Sequence, residues 1–114
     1  MKRPRTHSPS SIAAVEILGL EIARARRARR QTLDDLAQRA GVSRPTLHSI
    51  EHGSPSVAIG TVFEVATLLG IPLFGTGDRG ELSELRNRGR DRLALLPARV
   101  REPLESDAAP DDDF

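Results

Sequence analysis

The N-terminal half of the chain carries apolar side chains at intervals of three and four residues, the spacing of one buried face of an α-helix. A first helix is predicted from Ile12 to about Arg29. Its apolar face consists of four side chains at this spacing, Val15, Leu18, Ile22 and Ala25. Arg24, Arg27 and Arg30 point away from this face, so the helix is predicted to pack one side against a core.

A short second helix follows, with a capping residue at each end. The hydroxyl of Thr32 can accept a hydrogen bond from the amide of Asp35, and Gly41 can end the helix in the left-handed conformation. Asp34 and Asp35 place negative charge at the positive end of the helix dipole. The predicted core-facing residues are Leu36, Ala37 and Ala40.

The third helix is predicted to begin only two residues after Gly41, where Ser43 can cap it. Pro45 falls in its first turn, where a missing amide costs little. Leu47 and Ile50 are predicted to face the core. The third helix therefore follows the second after a very tight turn.

Two further helices complete the predicted elements, one from about Gly60 to Leu69 and one from Glu81 to about Leu95. A glycine-containing connector over residues 72–80 separates them. Beyond Pro97 the chain is rich in proline, alanine and aspartate, which predicts disorder. No segment shows the alternating pattern of a strand, so the predicted fold class is all-α.

The composition excludes several classes of protein. The chain has no cysteine, tryptophan or tyrosine and only three phenylalanines. It therefore has no disulfide or thiolate chemistry, and it lacks the aromatic platform that single-stranded nucleic acid requires. No apolar run reaches the roughly 18 residues of a membrane span, and the basic start lacks the apolar stretch of a secretory signal. We expect a cytoplasmic protein without a membrane partner.

The net charge of +1 hides a strong asymmetry along the chain. Residues 1–53 hold ten lysines or arginines against five acids, whereas residues 101–114 hold one arginine against six acids. A basic N-terminal half suits a polyanion, and counterion release would make such binding steeply dependent on salt. The alternative is an ordinary solvated surface, and charge alone does not decide between them.

The turn between the second and third helices decides between a DNA-binding surface and an ordinary solvated one. With only about three residues, this turn is too short to let the two helices lie antiparallel. They must cross at a wide angle, and the small side chain of Ala37 lets them approach closely. This is helix-turn-helix geometry, in which the second helix of the pair projects outward to fill the major groove of DNA. The alternative is a generic α-hairpin within a helical bundle.

Residues from about Leu18 to Leu73 resemble the phage-repressor-like (Xre) helix-turn-helix family. The matching positions are Leu36-Ala37, Ala40-Gly41-Val42-Ser43, Leu47, Ile50-Glu51 and Gly53. The resemblance implies that Arg26 pairs with Glu51 and braces the first helix against the recognition helix. Two positions depart from the family pattern, because Arg30 stands where glycine is usual and Leu33 replaces a common glutamine. The second departure removes one expected DNA contact, so specificity cannot be transferred from relatives.

On a recognition helix that begins after Ser43, the predicted outward side chains are Arg44, Pro45, His48 and Ser49, flanked by Thr46. Arg44 can fork onto O6 and N7 of a guanine, or it can contact phosphate only. Pro45 and Thr46 can pack against a thymine methyl group. His48 or Ser49 can reach a base edge or a phosphate.

Phosphate contacts are predicted for Thr32 and Ser43, because each lies at the N-terminus of a helix. The N-terminal arm with Lys2, Arg3 and Arg5 can follow the DNA backbone or the minor groove. A solubilising arm explains these three residues equally well.

One module reads only a few base pairs, so the resemblance implies a homodimer on a palindromic operator of double-stranded DNA. Three apolar residues fit the predicted core-facing positions poorly and are candidates for the dimer seam, namely Phe63, Leu68 and Phe74. Ordinary core packing explains them as well. The segment from Glu81 onward is a second candidate for dimerisation.

The end of the chain is similar to antitoxins that partner HipA-type serine/threonine kinase toxins. The similarity lies in Leu95-Leu96-Pro97-Ala98-Arg99-Val100-Arg101 and in the ending Asp111-Asp112-Asp113-Phe114. It implies a kinase-toxin partner, because a terminal aromatic ring can anchor in a pocket while the acids contact basic residues. The candidate partner-binding residues are Arg99, Arg101, Asp111, Asp112, Asp113 and Phe114. The alternative is a solubilising acidic tail.

The segment from His48 to His52 matches the H-x-x-E-H pattern of a class of zinc peptidases. The resemblance already assigns Glu51 to Arg26, and no third metal ligand is evident. No pairing of a nucleophile with a base stands out either. We therefore predict no enzymatic activity, no metal and no cofactor.

These patterns together predict a compact five-helix repressor-like helix-turn-helix domain with an extra C-terminal helix and disordered tails. The predicted parts are a flexible basic arm (1–11), the DNA-binding domain (12–76), a linker with the C-terminal helix (77–98) and an acidic partner-binding tail (99–114). The expected function is a sequence-specific repressor that neutralises a HipA-type toxin and autoregulates its operon. The alternatives are a stand-alone Xre-type regulator and an interaction adaptor that no longer binds DNA.

Overall fold

The structure, a computed structural model, describes residues 6–100, which form five α-helices and no strand. The helices are α1 (Pro9–Ala28), α2 (Leu33–Ala40), α3 (Arg44–Glu51), α4 (Ile59–Leu68) and α5 (Arg79–Ala94). The predicted all-α fold class is confirmed, and the predicted C-terminal helix is α5. The chain divides after Arg79 into two compact units, and α1 to α4 belong to the first.

The helix α1 begins at Pro9, earlier than the predicted start at Ile12. The hydroxyl of Ser8 accepts a hydrogen bond from the amide of Ser11 at 3.2 Å, and Pro9 occupies a first-turn position that needs no amide hydrogen. The prediction of a flexible arm over residues 1–11 is therefore wrong for its last three residues. Residues 1–5 lie outside the described part of the chain.

The core of the first unit lies where the four helices meet. Each helix contributes one large and fully buried side chain, namely Ile22, Leu36, Leu47 and Val65. The other buried apolar residues around them are Ala37, Ile50, Ala66, Leu69 and Ile71. Full burial of a side chain of this size stabilises a fold by roughly 1.5–3 kcal/mol, so this cluster holds the two short helices in place.

The helix α1 crosses the end of α3 at Gly19. A Cβ atom at this position would lie 2.5 Å from the carbonyl oxygen of Ile50 and 2.9 Å from that of Glu51. The backbones therefore approach more closely than any side chain would permit. This contact fixes the C-terminal end of α3 against the core and leaves its N-terminal end to project.

Arg29 holds the C-terminal end of α4. Its Nη2 atom donates to the carbonyl oxygen of Leu69 at 2.8 Å, and its Nη1 atom donates to that of Leu68 at 3.2 Å. The last turn of α4 has no basic residue of its own. Arg29 therefore supplies the positive charge that favours the negative end of the helix dipole.

The second unit contains all of α5 except its first residue, and none of the residues of α5 is buried. Leu85, Leu93 and Leu96 are exposed at 39%, 69% and 63%. None of the helices within residues 6–100 combines the length and the apolar character that crossing a membrane requires.

Candidate nucleic-acid interface

The turn between α2 and α3 consists of Gly41, Val42 and Ser43. Gly41 has a φ of +70°, the left-handed conformation that lets the chain leave α2 abruptly. The amide of Val42 then donates to the carbonyl oxygen of Ala37 at 3.0 Å, and the half-buried side chain of Val42 packs against the core. The tight turn predicted from the sequence is present, and it places the N-terminus of α3 beside α2.

The first turn of α2 is closed by a reciprocal pair of hydrogen bonds. The hydroxyl of Thr32 accepts from the amide of Asp35 at 3.0 Å, and the Asp35 carboxylate accepts from the amide of Thr32 at 3.2 Å. The amide of Thr32 is thus already engaged. A phosphate contact from this exposed residue would use its hydroxyl hydrogen.

Ser43 and Thr46 engage each other at the start of α3. The Ser43 hydroxyl accepts from the amide of Thr46 at 3.1 Å and donates to the Thr46 hydroxyl oxygen at 2.9 Å. Ser43 is exposed and Thr46 is half-buried. Because Ser43 already donates its hydrogen to Thr46, the hydrogen of the Thr46 hydroxyl is the one that this pair leaves for DNA.

The remaining residues of α3 divide between two faces. Leu47, Ile50 and Glu51 are buried, and they attach the helix to the first unit. Arg44, Pro45 and His48 are exposed, and Ser49 is half-buried. The N-terminal end of α3 therefore presents a basic, a rigid apolar and an aromatic side chain to solvent.

His48 is ordered by its neighbour one turn along. The rings of His48 and His52 are stacked, with centroids 4.0 Å apart and an angle of 23° between their planes. Nδ1 of His52 lies 2.9 Å from the carbonyl oxygen of His48, to which it donates when that nitrogen carries the proton. Within residues 6–100 there is no group of three or more potential metal ligands.

Arg26 and Glu51 form a buried ion pair. Nε of Arg26 donates to Oε2 of Glu51 at 2.7 Å, and Nη2 donates to Oε1 at 3.0 Å. Nη1 of Arg26 donates in addition to the carbonyl oxygen of Gln31 at 2.8 Å. The hydrogen bond to Glu51 raises the pKa of Arg26 above its ordinary value, although burial acts in the opposite direction. One permanently charged group thus links α1, α3 and the segment before α2.

A second ion pair joins the exposed N-terminal ends of α2 and α3. Nε of Arg44 lies 3.5 Å from Oδ1 of Asp34, and the two side chains are 64% and 74% exposed. The sequence predicts for Asp34 only an interaction with the helix dipole. No local spacing signals its contact with Arg44, because the contact depends on how the two helices cross.

Arg30, at the position where the resemblance places glycine, has a φ of +57°. The residue lies in the left-handed region, which side chains other than glycine enter at a cost. Its side chain is exposed. Between α1 and α2 an arginine therefore adopts a backbone conformation that favours glycine.

Phe63 and Leu68, two candidates for a dimer seam, are half-buried, whereas Phe74 is 75% exposed. The rings of Phe63 and Phe74 meet edge to face, with centroids 6.1 Å apart. None of the three belongs to the buried core. Of the candidate partner-binding residues, Arg99 is exposed, whereas Arg101, Asp111, Asp112, Asp113 and Phe114 lie outside the described residues.

Two structural residues, Arg29 and Gly19, are not among those predicted from the sequence. Arg29 shows no signal because its carbonyl partners lie 39 and 40 residues away. Gly19 carries a signal, since a glycine in the interior of an amphipathic helix often marks a close approach of backbones.

Most of the first unit is similar to a known protein family. Residues 17–73, half of the chain, match a family model described as a helix-turn-helix domain. The match includes all of α2, α3 and α4 and most of α1. No curated protein and no solved structure matches the chain.

Proposed function

The chain belongs to the helix-turn-helix domain family, and from this membership we propose that it is an Xre-type transcriptional repressor that reads a specific sequence in double-stranded DNA. The observation that carries the proposal is the exposure of Arg44, Pro45 and His48 on a helix whose opposite face is fully anchored. A helix fixed at its C-terminal end and exposed at its N-terminal end suits insertion into the major groove.

Each exposed group has a DNA contact that suits its chemistry. Arg44 donates to O6 and N7 of a guanine, the commonest specific contact of an arginine. Pro45 and the methyl group of Thr46 pack against a thymine methyl group. His48, held by its stack on His52, reaches a base edge or a phosphate.

The phosphate contacts in this proposal come from the helix N-termini. Thr32 and Ser43 lie at the starts of α2 and α3, where the positive ends of two helix dipoles favour anions. At the start of α3 the hydrogen donated to a phosphate is that of the Thr46 hydroxyl, because Ser43 donates its own hydrogen to Thr46. Ser49, half-buried on α3, contributes through its hydroxyl. These contacts position the protein on the duplex, whereas the side chains in the groove supply the sequence preference.

The proposed active form is a homodimer in the cytoplasm. A single recognition helix contacts only a few base pairs, and a two-fold dimer doubles the sequence that is read and requires a palindromic operator. The partly exposed Phe63, Leu68 and Phe74 are candidates for the seam between the two copies. The exposed leucines of α5 are the other candidates.

A selection experiment tests the DNA-binding proposal. The purified full chain is used to enrich duplexes from a randomised library, and the enriched duplexes are then titrated by fluorescence anisotropy. The expected result is a palindrome with half-sites about 10 base pairs apart and an affinity that falls steeply with salt. Enrichment of no sequence over the starting library would contradict the proposal.

We extend the proposal to a partner protein. The acidic residues 102–113 and the terminal Phe114 suit a basic surface with an apolar pocket, and the resemblance of this segment suggests a HipA-type kinase toxin. In this version the protein is an antitoxin that neutralises the kinase and represses its own operon. Co-purification with the products of neighbouring genes separates this version from a stand-alone Xre-type regulator, which would capture none of them.

A further inference from the structure

We infer that Asp34 is a specificity-determining positioning residue, which holds the guanidinium group of Arg44 so that its two terminal amino groups face a guanine. This inference rests on the proposed function and assigns one more residue to the same DNA-reading site. Asp34 lies in the first turn of α2, and Arg44 is the first residue of α3. The tight turn between α2 and α3 brings the N-terminal ends of these two helices together, and both side chains are exposed there.

The ion pair contacts Arg44 at the Nε edge of its guanidinium group. Oδ1 of Asp34 approaches Nε of Arg44, at 3.5 Å. A guanidinium group carries five N–H donors, and the pair on Nη1 and Nη2 that points away from the chain is distinct from the Nε edge. A carboxylate at Nε therefore holds the side chain from one edge while the terminal fork stays available for O6 and N7 of guanine.

The carboxylate also changes which DNA contact Arg44 prefers. An unrestrained arginine loses rotamer freedom on binding, and restraint before binding lowers that cost. A negative charge beside the guanidinium group repels phosphate oxygens, which carry no sequence information. Asp34 thus favours base reading over the sequence-independent phosphate contact, which is the difference that sets specificity.

The chain contains a matched control for this effect. Asp35 is the next residue, with the same charge in the same first turn of α2, but its carboxylate accepts from the amide of Thr32. Neutralising either residue removes one negative charge near the proposed interface. Only Asp34 contacts Arg44, so only its loss should change the preference for one base.

The experiment uses the full chain and a duplex that the wild-type protein selects from a randomised library. Each guanine of the selected half-site is replaced in turn, and Arg44→Ala identifies the position that Arg44 reads. The test variants are Asp34→Asn, Asp35→Asn, and Asp34→Asn combined with Arg44→Ala. Thermal unfolding is followed for each variant, and Asp34→Glu is included because it keeps the charge at the same position.

We expect Asp34→Asn to lower the preference for guanine at that position by about two- to fivefold, the range of an exposed ion pair. Its affinity for a scrambled duplex should rise. Asp35→Asn should leave the guanine preference at the wild-type value, and Asp34→Glu should retain more of the preference than Asp34→Asn. In the Arg44→Ala background, Asp34→Asn should change the preference no further.

Two different failures can be told apart. If Asp34→Asn and Asp35→Asn alter the guanine preference equally, or neither alters it, Asp34 does not position Arg44, although the proposed DNA binding stands. If the wild-type protein selects no sequence from the library, the proposed function is wrong and the role of Asp34 is wrong with it.

Discussion

Arg26 and Glu51 are joined by two parallel hydrogen bonds of 2.7 Å and 3.0 Å that connect α1 to the last residue of α3. Both residues are only 8% exposed. A bidentate pair of this kind fixes distance and orientation together. The direction in which α3 projects is therefore set inside the protein, before any DNA is present.

Breaking this pair should unfold the domain more easily. Glu51→Gln leaves the buried charge of Arg26 without its partner, and we expect the free energy of unfolding to fall by about 3 kcal/mol. Urea denaturation measures the change as a lower midpoint at constant slope. The control is Arg27→Gln on the exposed face of α1, expected to change stability by less than about 0.5 kcal/mol. Equal effects of the two variants would show that the pair is energetically unimportant.

Gly19→Ala should destabilise the fold although alanine is the better helix former. The added methyl group would meet the carbonyl oxygen of Ile50 at 2.5 Å, so α1 and α3 must separate, at a cost of roughly 1–3 kcal/mol. Gly89→Ala in α5 is the control, because nothing lies within 4 Å of its added methyl group. This control should keep or increase the helical circular dichroism signal without lowering the unfolding midpoint. A midpoint for Gly19→Ala at or above the wild-type value would disprove the close crossing.

Arg30→Gly should stabilise the protein. Glycine enters the left-handed region without the Cβ clash that an arginine with a φ of +57° suffers, so we expect a gain of about 0.5–1 kcal/mol. Arg27→Gly removes the same charge from a helical position and should instead cost about 1 kcal/mol. Thermal unfolding distinguishes the two variants by the sign of the shift. A loss of stability in both would mean that Arg30 is not strained.

Arg44→Ala should weaken binding to the selected operator by about 1–3 kcal/mol and relax the preference at one base pair. Anisotropy titrations on operator and scrambled duplexes at one salt concentration measure both effects. Arg39→Ala, an exposed arginine on α2, is the comparison for loss of positive charge alone. If Arg44→Ala weakens binding to both duplexes equally, Arg44 contacts phosphate and reads no base.

Removal of residues 103–114 should separate the two proposed binding activities. We expect the truncated chain to keep its affinity for the operator, because α3 belongs to the unit that ends at Arg79. Its capture of the proposed HipA-type kinase partner should fall, as measured by co-purification of tagged protein from co-expressing cells. Undiminished capture would contradict the role of the acidic tail and move the proposed contact to another surface.

The cap residues show how much of the interface can be predicted from short-range patterns. The hydrogen bonds that Ser43 and Thr32 accept at the N-termini of α3 and α2 span three residues, as does the bond that the Asp35 carboxylate accepts from the amide of Thr32. Such bonds depend on residue type and local spacing, so the sequence predicts the starts of α2 and α3 to the residue. The start of α1 was not, because its apolar spacing begins later than its cap at Ser8.

The pairing of Arg26 with Glu51, in contrast, does not follow from short-range patterns. The two residues are 25 positions apart, and no periodicity connects them. Only the resemblance to a family predicts their contact. The structure adds the third bond to the carbonyl oxygen of Gln31, which no pattern suggests.

The amino-acid sequence by itself determined which segments form helices, where α2 and α3 begin, and which side of each short helix is apolar, because bonds and periodicities within a few residues control these features. Only the tertiary structure decided that Asp34 meets Arg44, that Gly19 lies against the backbone of α3, and that Arg29 caps α4. These contacts depend on how the helices cross, and the crossing follows from the packing of one shared core rather than from any single segment.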